Sequence, residues 1–97
     1  MYLAEEVFYG CESLKEIKIP KSVQEIKSRA FYKCLNLEKV EFPLALRKIG
    51  SQAFYQTALK ELELPDGLRE IGDSAFLKCN NLESVKIPES MKRIEKW

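Results

Sequence analysis

The sequence of 97 residues contains no histidine, and it has aspartate only at Asp66 and Asp73. Without histidine, Ser-His-Asp catalysis, Cys-His catalysis and every metal site with a histidine ligand are excluded. Both aspartates fall in predicted turns, and the scattered serines have no neighbouring base to activate them. The sequence therefore predicts a protein that is not an enzyme and that has no cofactor.

The sequence also lacks an excess of charge of one sign, and it has no long apolar run. The net charge is +1, with acids and bases mixed along the chain, whereas nucleic-acid-binding proteins usually carry a basic patch. No apolar run approaches the roughly 18 residues of a membrane span, and Glu5 and Glu6 interrupt the place where a signal peptide has its apolar core. We predict a single domain without a nucleic-acid partner or a membrane span, whose signal sequence would lie outside these residues.

The sequence does contain a repeat of about 23 residues, marked by phenylalanines that are 23, 23 and 22 residues apart. Several other columns keep step with the phenylalanines. The repeats span residues 1–25, 26–48, 49–70 and 71–93, and a further partial copy begins at 94–97. The third copy lacks one residue between Phe54 and Leu59, which we expect to shorten a turn without shifting the strand. The columns are Phe8, Phe31, Phe54 and Phe76; Leu14, Leu37, Leu59 and Leu82; Pro20, Pro43, Pro65 and Pro88; and Ile26, Ile49, Ile71 and Ile94.

Each copy combines a strand with a compact turn region. The stretch LKEIKIP alternates apolar and polar residues and ends at a proline, which is typical of a short half-buried strand. The following SVQEI-type stretch predicts a 3₁₀ turn or a short irregular extended piece. Ser28, Ser51 and Asp73 then suit the N-cap of a single helical turn that buries an Ala-Phe pair. Gly50 and Gly72 would allow the sharp bend before it.

One such unit leaves its apolar side uncovered, but stacked copies cover each other. The pattern of AFYKCLNLEKVEFPLALRKIGSQAF resembles the BspA-like class of leucine-rich repeats, the Treponema pallidum class, over almost the whole chain. The resemblance implies a right-handed leucine-rich-repeat solenoid with a parallel sheet on the concave side and short 3₁₀ or helical turns on the convex side. It also implies a bacterial or protist surface protein that acts as an adhesin or binds host proteins, without catalytic residues.

Two surfaces are candidates for protein binding. The first is a tyrosine column, Tyr9, Tyr32 and Tyr55, which grips a partner or a sugar ring in one interpretation and shields the back turns in the other. The second is formed by the outward positions of the strands, which alternate in charge and form either a solvated face or a polar docking surface. A calcium site at Glu41, Glu61 and Glu63 is a minor alternative. The outward residues are Glu16, Lys18, Lys39, Glu41, Glu61, Glu63 and Lys86.

The cysteines form one column, Cys11, Cys34 and Cys79, with Thr57 in the third copy. Spacings of 23 and 45 residues contain no CxxC motif. One interpretation is a disulfide between Cys11 and Cys34 in neighbouring copies. The other, which Thr57 favours, is three free thiols that pack as small apolar groups.

These observations favour a non-catalytic protein-binding module of a cell-surface or secreted, adhesin-like protein, with a host or extracellular matrix protein as its partner. The alternative is a structural spacer, or an engineered or excised array without its own ligand. A third hypothesis is an enzyme or a carbohydrate-active module. We also expect end-to-end self-association through uncapped repeats, which strictly monomeric light scattering at high concentration would contradict.

Overall fold

The computed structural model describes residues 1–88. They form eight short strands and no α-helix: β1 (Tyr2–Leu3), β2 (Glu16–Lys18), β3 (Glu25–Ile26), β4 (Lys39–Glu41), β5 (Lys48–Ile49), β6 (Glu61–Glu63), β7 (Glu70–Ile71) and β8 (Ser84–Lys86). All paired strands are parallel, and they form a four-stranded sheet β1-β3-β5-β7 and two pairs, β2-β4 and β6-β8. The chain is therefore a parallel-strand solenoid of about four turns, as the repeat predicted.

The pairing register brings equivalent positions of successive copies together. Ile26 faces Leu3 on one side and Ile49 on the other, and Ile17 faces Val40. This is the arrangement in which each copy covers the apolar side of its neighbour. The prediction that identical positions touch along the stack is confirmed.

Each turn contains two strands rather than one. The SVQEI-type stretch forms the strand of the four-stranded sheet, so a 3₁₀ turn is the wrong prediction and an extended piece is the right one. Ile26, Ile49 and Ile71 point into the core at 0 to 1% exposure, whereas the preceding Glu25 and Lys48 point outward. Alternating burial and two hydrogen-bonded neighbours explain why a stretch with only two apolar residues adopts extended structure.

The predicted helical turn around each Ala-Phe pair is wrong. Arg29 and Lys33 lie at φ 54° and 57°, in the left-handed region, and the same positions of the later copies are left-handed too. A helix needs consecutive right-handed residues, so these positions break it. Instead, the N–H of Tyr32 donates to the carbonyl of Arg29, closing a tight turn. The residues predicted as N-caps consequently have no helix to cap.

The turn regions bond to one another across the stack. The N–H of Phe8 donates to Ala30 at 2.8 Å, that of Phe31 to Ala53 at 2.7 Å, and that of Phe54 to Ala75 at 2.8 Å. Left-handed residues on either side turn these N–H groups toward the next copy instead of along the chain. The turn region thus satisfies its backbone between copies, as a sheet does.

A phenylalanine stack fills the centre of the solenoid. Neighbouring rings lie 5.2, 4.9 and 5.3 Å apart between centroids and are nearly parallel, at 14°, 9° and 4°. Phe31 and Phe54 are fully buried. Burial of each ring contributes about 2 to 3 kcal/mol, and offset stacking adds about 0.5 to 1.5 kcal/mol per pair. The members of the stack are Phe8, Phe31, Phe54 and Phe76.

The second sheet is interrupted where the third copy is one residue short. Within residues 1–88, β2 pairs with β4 and β6 with β8, but β4 and β6 form no ladder. The N–H of Ile19 donates to Glu41 at 3.1 Å, whereas no corresponding bond joins Phe42 to β6 in the same range. The strand is not shifted along its copy, as expected, since the N–H of Lys60 donates to the carbonyl of its own equivalent Glu38 at 3.4 Å; the loss of the ladder was not expected. The shorter turn makes its own contact with the preceding copy, in which the N–H of Ala58 donates to the carbonyl of Leu37 at 3.0 Å.

Gly50 and Gly72 are required by close contact rather than by a bend. Neither has a positive φ, but a Cβ on Gly50 would lie 2.6 Å from the backbone nitrogen of Ser28, and one on Gly72 would lie 2.5 Å from that of Ser51. The N–H of each glycine donates to the preceding copy at 2.7 Å. At the equivalent Lys27 this distance is 3.0 Å, so a side chain is accommodated where the copies lie farther apart.

We predict that Gly50→Ala destabilises the fold, because the added methyl forces neighbouring backbones apart. Overpacking of this kind costs about 1 to 3 kcal/mol, which lowers the melting temperature by several degrees in a domain of this size. Thermal unfolding followed by circular dichroism measures the effect, with Lys27→Ala in the same slot as the matched control. Equal melting temperatures for Gly50→Ala and the parent chain would contradict the contact argument.

Candidate functional site: the exposed faces of the solenoid

The outward residues predicted on the strands all lie on one exposed face, the strand face, which β2, β4, β6 and β8 form. Opposite charges meet across the paired strands: Glu16 faces Lys39, and Lys86 lies 3.9 Å from Glu63. Such exposed pairs contribute at most about 1 kcal/mol each. The strand face therefore neutralises much of its own charge.

The acidic residues of the strand face do not converge into a metal site. Glu41 and Glu63 lie on opposite sides of the interruption, and Glu63 is paired with Lys86. Among residues 1–88, no group of three His, Cys, Asp or Glu side chains could hold a metal ion. The geometry thus does not support the calcium alternative.

A polar groove, which the sequence did not reveal, runs along the outside of the four-stranded sheet. It has a volume of about 310 Å³, and its rim carries the alternating column Glu25, Lys48 and Glu70. Lys48 and Glu70 form an ion pair of 3.7 Å. Gly50 and Gly72 lie along the groove. The only sequence signal for the groove was a glycine at the same position of two successive copies.

The tyrosine column is a continuous ring stack, here called the tyrosine stack: Tyr9, Tyr32 and Tyr55. Neighbouring centroids are 5.0 and 4.7 Å apart, with interplanar angles of 17° and 9°. Tyr9 is 52% exposed, and the other two are half-buried. Because the rings cover each other's faces, they present mainly edges and hydroxyls to solvent. The stack therefore offers no flat platform for a sugar ring between its members.

Two lysines that sequence reasoning missed lie beside the tyrosine stack. The ammonium of Lys33 is 5.7 Å from the ring centroid of Tyr32, and that of Lys78 is 5.9 Å from that of Tyr55, both within cation–π range. In the described part of the chain, neither lysine has a carboxylate within ion-pair distance. Both side chains are exposed. Their only sequence signal is their shared slot, one residue after the tyrosine column.

The cysteine column consists of free thiols, as the packing interpretation predicted. The Sγ of Cys34 donates to the carbonyl of Phe8 at 3.0 Å, and the Sγ of Cys79 donates to the carbonyl of Phe54 at 3.1 Å. Thr57 Oγ1 lies 3.2 Å from the Cys79 Sγ. This position of the repeat thus suits a small side chain that can donate a hydrogen bond, and threonine meets both conditions as well.

Comparisons with known proteins agree with this geometry. A family model described as "BspA type Leucine rich repeat region (6 copies)" matches residues 2–97. The chain belongs to the BspA-type leucine-rich repeat family. Among curated proteins, none matches the sequence significantly.

Three crystal structures resemble the chain. A leucine rich cell surface protein from Faecalibacterium prausnitzii A2-165 is 32% identical with a TM-score of 0.79 and covers 82% of this chain and 21% of its own. A leucine-rich repeat protein from Bacteroides ovatus is 32% identical with a TM-score of 0.76, covering 95% of this chain and 30% of its own. The T. pallidum leucine-rich repeat protein is 26% identical with a TM-score of 0.65, covering 100% of this chain and 63% of its own. The BspA-type chain thus spans less than two thirds of each relative.

Burial raises the pKa of the Cys34 thiol from its usual 9.0 to about 11. Because the folded-state pKa is the higher one, there is a pH range in which the unfolded chain has lost the thiol proton and the folded chain has kept it. We therefore predict that the free energy of unfolding falls as the pH rises from about 9 to about 11. Cys34→Thr, which copies the side chain of Thr57, should show a shallower fall in urea titrations. Identical pH dependence in the two proteins would contradict the assignment.

Proposed function

We propose that this BspA-type chain is a non-catalytic protein-binding module of a cell-surface or secreted, adhesin-like protein. The observation that carries the proposal is the similarity to a protein described as a leucine rich cell surface protein, at 32% identity over 82% of the chain. Residues 1–88 offer no candidate for a membrane-spanning helix. The proposed partner is a protein, for instance a host or extracellular matrix protein, and the proposed binding uses no cofactor.

The exposed faces support a binding role to different degrees. The strand face carries charges that are matched across paired strands, so a partner must compete with contacts already made. The tyrosine stack combines aromatic edges and hydroxyls with two lysines that have no carboxylate partner within residues 1–88. Tyrosine is enriched at protein interfaces because its body is apolar and its tip polar. We therefore place the main contact on the side of the tyrosine stack and a secondary one on the strand face.

The second candidate function is a spacer without its own ligand. The self-neutralised strand face favours it. The self-association expected from the sequence stays a prediction.

We predict that the 97-residue chain binds at least one protein of a purified extracellular matrix panel, and that Tyr32→Ser weakens the binding on the order of tenfold or more, as hot-spot tyrosines do. Biolayer interferometry measures the affinities. Because Tyr32 stacks on both neighbours, truncation also costs stability, and affinities are therefore compared below the melting temperature of each variant.

Tyr32→Phe is the matched control, since it keeps the ring stack and removes only the hydroxyl. It should fold like the parent chain and lose less affinity than Tyr32→Ser. Absence of binding to every protein of the panel favours the spacer. Binding that Tyr32→Ser leaves intact would remove the tyrosine stack from the proposed interface.

A further inference from the structure

We infer that the side of the tyrosine stack binds an acidic polyproline II segment, that is, an extended peptide with a carboxylate at every third residue. The inference rests on the proposed function and names the kind of protein segment that the surface fits. Its basis is the left-handed row, defined here as Gly10, Lys33, Gln56 and Lys78, which runs beside the tyrosine stack.

The left-handed row holds long side chains in a conformation that disfavours them. Lys33 and Gln56 lie at φ 57° and Lys78 at φ 62°, whereas the first copy has glycine at this slot with φ 69°. Glycine adopts such angles freely, while other residues adopt them only at a cost in stability. The repeat itself imposes such angles, as at Arg29 and Gln52, so the choice of side chain rather than the backbone angle distinguishes this row. The row therefore keeps an ammonium, an amide and an ammonium where glycine would fit the backbone better.

The charges of the row are available to a partner. Lysines on the paired strands face carboxylates, as Lys86 faces Glu63 at 3.9 Å. By contrast, no carboxylate among residues 1–88 lies within ion-pair distance of Lys33 or Lys78. Their ammoniums lie within 6 Å of tyrosine ring centroids instead, at 5.7 and 5.9 Å. This combination of aromatic edges and unneutralised ammoniums suits a partner that is both apolar and acidic.

The spacing of the row selects the conformation of the partner. The backbone slots of Lys33 and Lys78 are two turns apart, which is roughly 9.6 Å at about 4.8 Å per copy. The two ammoniums lie beside rings of neighbouring copies, Tyr32 and Tyr55, and flexible stems let them adjust to the spacing of a partner. A polyproline II helix repeats every third residue, at about 9.3 Å. A β-strand presents the same face at about 6.7 or 13.4 Å, which fits the backbone slots less closely.

Gln56 favours a polyproline II helix over an α-helix as the conformation of the bound segment. An α-helix returns to the same face after seven residues, about 10.5 Å, but its carbonyls are bonded internally. A polyproline II segment has no internal hydrogen bonds, so its carbonyls remain free. Gln56 lies between the two lysine slots, where its amide can donate to such a carbonyl. Prolines of the segment would pack on the edges of Tyr32 and Tyr55, as in other aromatic-lined surfaces for this conformation.

The test uses the 97-residue chain and a fluorescent peptide of about four Pro-Pro-Glu triplets, with binding followed by anisotropy. We expect saturable binding that weakens with salt, and on the order of tenfold weaker binding by Lys33→Gly/Lys78→Gly. Since glycine suits these φ angles, the double variant should melt no lower than the parent chain. Lys15→Gln/Lys21→Gln, which removes the same charge elsewhere, should bind like the parent.

Three ligand controls keep the inference falsifiable. Pro-Pro-Gln triplets remove the charge, and a peptide of the same composition with its glutamates moved off every third position removes the spacing. Equal binding of either peptide and the Pro-Pro-Glu peptide would overturn the inference. So would preferred binding of a sulfated oligosaccharide, or amide shift changes confined to the strand face in NMR titrations.

The outcome is separable from that of the proposed function. A chain that binds a matrix protein but not the Pro-Pro-Glu peptide retains the proposed function and loses this inference. A chain that binds neither loses both. Binding of the peptide that the lysine double variant weakens, with its melting temperature maintained, supports both.

Discussion

The register between successive copies is the constraint on which the whole molecule depends. Each copy is too thin to bury its own apolar residues, and Phe31 and Phe54 are fully buried only because a copy lies on either side. The same register carries the backbone, since N–H groups of the turn regions donate to the next copy at 2.7 to 2.8 Å around the phenylalanines. The core, the sheets and the surface columns therefore all follow from the regular displacement of each copy relative to the one before it.

That displacement also explains what the surface offers to a partner. A residue type repeated in one slot becomes a row with a spacing of about 4.8 Å, whether it is a ring, a charge or a left-handed backbone position. Where opposite charges alternate, as in Glu25, Lys48 and Glu70, the row neutralises itself. Where Lys33 and Lys78 stand without carboxylates among the described residues, the row retains charge for a ligand. The proposed binding surface of this BspA-type chain thus follows a row along the stack.

Sequence periodicity predicted the stack, the core columns and the exposed positions, because burial and repeat spacing are both properties of side chains. It left the second strand of each turn open between a 3₁₀ turn and an extended piece, and it missed the left-handed residues, since both depend on backbone bonds to neighbouring copies. Arg29 and Gln52 are ordinary helix formers, yet both lie at positive φ. The gap between β4 and β6 likewise needed coordinates, because one missing residue can be absorbed in several ways. The candidate tyrosines were predictable, whereas Lys33 and Lys78 became candidates only when their unpaired charges were visible.

The central claim is that equivalent positions of consecutive copies touch, and ring contacts test it directly. In an NMR spectrum of the chain with phenylalanine rings isotopically labelled, nuclear Overhauser effects should connect Phe8 with Phe31, Phe31 with Phe54, and Phe54 with Phe76, because these centroids lie 4.9 to 5.3 Å apart. Phe8 and Phe54, which are separated by a complete ring, should show none. A further effect should join Phe42 to Phe54, whose centroids lie 5.6 Å apart. Among the four stacked rings, effects between non-neighbouring members, or their absence between neighbours, would contradict the stacked register.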